Sequence, residues 1–100
     1  NINGAFEAYN DYLVILLDIL INYDYDYKDF PPRLFKIIAD RLDDVLYYVN
    51  DNKALGYSWS ASETWNKQKN KIKQSTLKQL YEYSCNSCLN KLSSCIKEFI

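Results

Sequence analysis

Histidine is absent from this chain of 100 residues. Its absence removes the commonest general base and the commonest metal ligand together. Ser-His and Cys-His nucleophile pairs and histidine-ligated zinc centres therefore have no starting point. Arginine occurs only as Arg33 and Arg41, so bidentate contacts to phosphate or guanine are scarce. No cysteine precedes Cys85; the three thiols, Cys85, Cys88 and Cys95, all lie in the last sixteen residues. A disulfide framework tying distant elements of one chain together is thereby excluded, and a reducing, cytoplasmic location is expected. The chain also lacks an Asn-x-Ser/Thr sequon, which leans the same way. Long apolar runs are missing too. The longest, Leu13 to Leu17, stops at Asp18 before Ile19 to Ile21 and is preceded by Asp11, whereas a membrane span needs about 20 mostly apolar residues. A buried helix is predicted there, not a span. No catalytic or cofactor motif stands out, and a non-enzymatic protein without cofactor or metal is expected.

What is present fits a folded domain. Apolar residues make up 48% and charged residues 25%, a mixture that forms a core and does not describe a disordered tail. The length predicts one domain over residues 1–100 that buries roughly two thirds of the surface its unfolded chain exposes. Charge is divided unevenly along it. Residues 1–52 hold ten acids against four bases, a net −6, while residues 53–100 hold eight lysines against three glutamates, a net +5. Opposed fields of this kind orient association, so they point to a protein partner or to the halves docking on each other.

The apolar positions predict an all-α fold, a compact bundle of three or four helices. Phe6, Tyr9, Leu13, Leu16, Leu20 and Tyr23 recur at steps of three and four, and the intervening Val14, Ile15, Leu17, Ile19 and Ile21 make this first helix apolar on most sides, as a central helix would be. Pro31 and Pro32 end a linker, with Pro32 suited to open the second helix. Leu34, Ile38, Leu42, Val45 and Val49 give that helix one apolar stripe. Ser60-Ala-Ser-Glu63 matches a capping box at the start of a third segment, with Ser62 as an alternative cap. From there Tyr81, Cys85, Cys88, Leu92, Cys95 and Phe99 form a heptad-like seam. One unbroken helix to Ile100 would be about 58 Å long at 1.5 Å per residue, far beyond a compact domain with a radius of gyration of about 13 Å. A kink or turn is therefore expected at Ser75-Thr76, or at Ser84 with Asn86-Ser87.

Candidate functional residues cluster in the acidic half. Tyr23, Asp24, Tyr25, Asp26, Tyr27, Asp29 and Phe30 alternate rings with carboxylates; tyrosine supplies contact area at low entropy cost, and the acids steer a basic partner. Asp40, Asp43 and Asp44 form a second acidic face. A calcium loop starting at Asp24-x-Asp26 is not supported, because Asp29 and Phe35 stand where the loop needs glycine and glutamate. Lys67, Lys69, Lys71, Lys73 and Lys78 alternate with polar residues and fan around a helix without lining one groove-facing stripe, so nucleic acid is not the expected partner. Trp59 and Trp65 are expected to brace the third helix, and the cysteines to be packed thiols. The resulting expectation is a small protein-binding module of the inhibitor, antitoxin or immunity type that masks a basic partner. The alternative is a structural or regulatory helical module forming a homo-oligomer through its opposed halves.

Overall fold

The periodicity resolves, in the computed structural model, into five α-helices and no strand among the described residues, which are 2–22, 32–51 and 59–100. Side chains are described for 8–22, 32–47 and 63–100. In chain order the helices are α1 (Ile2–Asn22), α2 (Pro32–Asp51), α3 (Trp59–Gln68), α4 (Gln74–Asn86) and α5 (Asn90–Lys97), with a 3-10 turn over Lys69–Lys71. The count exceeds the three or four expected, because the last segment breaks twice. The radius of gyration is 13.2 Å and the long axis 42 Å, too short for the unbroken 58 Å rod.

Both breaks have local causes. Residues 66–71 read Asn-Lys-Gln-Lys-Asn-Lys and offer nothing to bury, so helical propagation there gains no tertiary packing. The chain tightens into the 3-10 turn, then extends through Ile72 (ψ 135°) and Lys73 (ψ 145°), and Ile72 anchors the elbow in the core. Ser75 and Thr76 therefore lie inside α4, just after the break that was expected at them. The second break falls close to the expected Asn86-Ser87. The Ser87 N–H donates to the Tyr83 carbonyl at 2.9 Å and the Leu89 N–H to the Ser84 carbonyl at 2.8 Å. With Cys88 at φ 57°, this is a Schellman closure in which a cysteine holds the left-handed position that glycine usually takes. At the other end of the segment, α3 begins at Trp59, so Ser60 lies within the helix and not at its cap.

One cluster of buried side chains joins the helices. Leu13, Leu16, Leu17 and Leu20 of α1, Ile38, Ala39, Leu42, Val45 and Leu46 of α2, Trp65 of α3, Leu77 and Leu80 of α4, and Leu92 and Ile96 of α5 close on one another, with Ile72 between α3 and α4. Leu13, Leu16, Leu20, Ile38, Leu42, Val45 and Leu92, all on the predicted apolar stripes, are in it, and Cys95 packs half-buried at its edge. The seam expected along the last segment is displaced. Cys85 and Cys88 are exposed, and the buried line runs through Leu77, Leu80 and Ser84, then restarts at Leu92 and Ile96, because the left-handed residue resets the helical phase. These two thiols are therefore not packed, contrary to expectation. Trp65 is braced as expected, edge-on to Phe99 at a centroid distance of 6.0 Å, with the Lys69 ammonium 4.8 Å from the same ring.

Candidate binding surface

The first helix is amphipathic and not surrounded by protein. Its buried line is Leu13, Leu16, Leu17 and Leu20. On the opposite side, Asp11, Ile15, Asp18 and Asn22 follow one another at helical spacing and are exposed. Ile15 has 56% of its surface open, and Tyr12 and Val14, at the margins of the stripe, 37% each. The helix carries no lysine or arginine from Ile2 to Asn22. The result is an apolar strip set between carboxylates, with no base of its own helix to neutralise them. The reading of this helix as central, apolar on most sides, missed the strip. Asp11 and Asp18, seven residues apart with Ile15 between them, are the signal that marks it.

The acidic residues of α2 differ in their contacts. Asp40, Asp43 and Tyr47 recur at steps of three and four on the side toward α4 and α5, and each meets a partner there. Asp40 Oδ1 accepts a hydrogen bond from the Tyr83 hydroxyl at 3.3 Å, and the Tyr83 ring packs edge-on against Phe35. Asp43 Oδ1 accepts from the Leu92 backbone N–H at 2.9 Å. The Lys91 ammonium sits 5.5 Å from the Tyr47 ring centroid. Asp44 points outward and lies 3.9 Å from Arg41 on the same exposed side, a geometry of little energetic weight. Asp40 and Asp43 thus stitch α2 to the last two helices, and Asp44 alone of the three is turned to solvent without such a contact across helices. Tyr23, Asp24, Tyr25, Asp26, Tyr27 and Asp29 lie outside the described residues, immediately beyond the C-terminal end of α1.

Lysines occupy the other half. Lys67, Lys71, Lys73 and Lys78 are exposed, and Lys67 pairs with Glu63 at 2.8 Å. Lys67 is on α3 and Lys78 on α4, while Lys71 and Lys73 lie in the interruption between them, so they do not form a continuous basic stripe. Between the halves, the Thr64 hydroxyl donates to Asn10 Oδ1 at 2.8 Å, tying α3 to α1. An open groove beside the start of α4 is lined by Gln74, Ser75, Lys78 and Ile100. On α4, the Cys85 thiol raises the Tyr81 phenol above its ordinary pKa, first through a side-chain hydrogen bond, then through charge repulsion and desolvation.

Among the described residues no group of three or more cysteines, aspartates or glutamates is placed to hold a metal ion, and no helix is long and apolar enough to cross a membrane. Comparison of the chain with known protein families, with curated proteins and with solved structures returned no match.

Proposed function

We propose that this chain is a small, non-catalytic protein-binding module of the inhibitor, antitoxin or immunity type, acting in the cytoplasm by masking a basic protein. The observation that carries the reading is the outer strip of α1. Ile15 and Tyr12 supply apolar anchor area, and Asp11 and Asp18 flank it with charge that accelerates encounter with a basic surface. The acidic tyrosine segment from Tyr23 to Asp29 follows directly in sequence and extends the same chemistry. Binding by such a strip asks for a cationic amphipathic face on the partner, with apolar residues between lysines or arginines. The test compares affinity capture by the wild-type chain and by an Asp11→Asn, Ile15→Glu, Asp18→Asn triple variant whose helical circular dichroism is unchanged. A basic protein retained by the first and lost by the second supports the reading. A partner retained equally by both overturns the assignment of the strip.

A second reading, self-association, is favoured by the exposed lysines of α3 and α4 set against the base-free α1. It predicts a homo-oligomer that dissociates as salt screens the attraction. Sedimentation at low and high ionic strength separates it from the first, which requires a salt-independent monomer.

A further inference from the structure

The turn between α4 and α5 carries two thiols that neither the core nor the proposed binding strip uses. Cys85 is the second-last residue of α4 and Cys88 lies within the turn; both are free and exposed. The third thiol, Cys95, is half-buried against the core. The bonds from Ser87 to Tyr83 and from Leu89 to Ser84 fix the path of the chain from residue 85 to residue 88. Across a tight turn the Cα atoms of residues three apart lie within about 7 Å. A disulfide spans Cα separations of about 4.4 to 6.8 Å, so the turn sets the two residues at a backbone spacing of the order a bridge needs, and closing it requires the two side chains to rotate toward each other. Cys88 is the described non-glycine residue with positive φ. Residues kept in this region against their own steric preference concentrate at functional sites.

We propose that Cys85 and Cys88 form a dithiol–disulfide exchange site whose substrates are low-molecular-weight disulfides. One cysteine, as thiolate, attacks a sulfur of the small disulfide; the protein–sulfur bond forms, the substrate S–S bond breaks, and the first small thiolate departs. The second cysteine, as thiolate, attacks the Sγ of the first cysteine in this mixed disulfide, which forms the internal bridge, breaks the bond to the substrate sulfur and expels the second small thiolate. The two protons released by the cysteines are taken up by the two departing thiolates. The protein dithiol is oxidised by two electrons and one small disulfide is reduced to two thiols. Excess small thiol runs the same steps backwards.

The test uses the full chain, oxidised glutathione as probe and intact-mass spectrometry, with helical circular dichroism recorded in parallel. The Cys95→Ser variant should lose two hydrogens, gain no adduct and remain monomeric with its helical signal intact. Cys85→Ser and Cys88→Ser, which cannot close the bridge, should each retain a glutathionyl group on the remaining exposed thiol. Reducing the bridged form with excess glutathione should restore two alkylatable thiols. The proposal is overturned if Cys95→Ser stays reduced, if it accumulates glutathionyl adducts without bridging, if it bridges only between chains, or if it oxidises only as the helical signal is lost.

Discussion

The carboxylate of Asp43, midway along α2, caps a helix 49 residues further on. Its Oδ1 accepts the backbone N–H of Leu92 at 2.9 Å, the third residue of α5, and α5 has no side-chain cap at its own preceding residue, Leu89. The first N–H groups of a helix have no partner inside it. A distant carboxylate thus does what an N-cap side chain does locally, and also pins α5 to α2. Asp43→Ala should cost about 1 to 2 kcal/mol, the range of a lost cap, in urea unfolding with unchanged slope. Asp43→Asn keeps an acceptor and should lose less. Equal stability of all three proteins would show that the bond carries no weight.

Thr76 is the counterexample to that economy of partners. It is fully buried in α4 between Ile72 and Leu80, and its hydroxyl oxygen has no hydrogen-bond partner. Ser84, two turns further along the same buried line, donates back to the Tyr81 carbonyl at 2.8 Å. A buried hydroxyl left unpaired costs about 1 to 3 kcal/mol. Thr76→Val keeps the branched shape and removes the polar atom, so it should raise stability by about 1 kcal/mol, read as a higher urea midpoint. A fall in the midpoint would mean that the hydroxyl is satisfied in solution.

How much of this was legible follows the periodicity. Leu13, Leu16, Leu20, Ile38, Leu42 and Val45 are buried where three- and four-residue steps predict, because each lies inside one uninterrupted helix. Counting across 84–92 failed for Cys85 and Cys88, since a seam extrapolated through a helix end loses phase at the first left-handed residue, and no glycine marks that residue here. The strip on α1 was obscured for a different reason. Apolar content alone predicts burial on most sides of α1, whereas Asp11 and Asp18 on one face oblige Ile15 to face water beside them. Contacts such as Asp43 with Leu92 pair residues far apart in sequence, and no local pattern encodes them.

The left-handed turn makes its own prediction. Cys88 at φ 57° bears the steric cost of a Cβ in that region, about 1 to 2 kcal/mol, offset in a glycine variant by about 0.5 to 1 kcal/mol of extra unfolded-state freedom. Under reducing conditions Cys88→Gly should therefore stabilise the chain by about 0.5 to 1 kcal/mol, whereas Cys88→Val should destabilise it, since branched residues tolerate positive φ poorly. Thermal unfolding of the two variants side by side decides it. A stable valine variant would show that the turn does not need the left-handed conformation.

The binding strip on α1 predicts a separation of kinetic effects once a basic partner is in hand. Asp11 and Asp18 are exposed, so their charges act through long-range steering; replacing both with asparagine should slow association and flatten its salt dependence, with little change in dissociation. Ile15 and Tyr12 act only when desolvated against the partner. Ile15→Ala or Tyr12→Ala should speed dissociation, by about 2 kcal/mol in binding energy where the side chain is a central anchor, and leave the salt slope untouched. The same split is expected between Asp24, Asp26 and Asp29 on one side and Tyr25 and Tyr27 on the other. Neither class should change stability much, because Ile15 and Tyr12 lie outside the buried cluster. Asp43→Asn is the internal control. Its carboxylate is committed to α5, so binding should follow its stability and show no change in salt slope. If the Asp11 and Asp18 variant associates as fast as wild type at low salt while the Asp43 variant does not, the partner surface lies on α2 and not on the first helix.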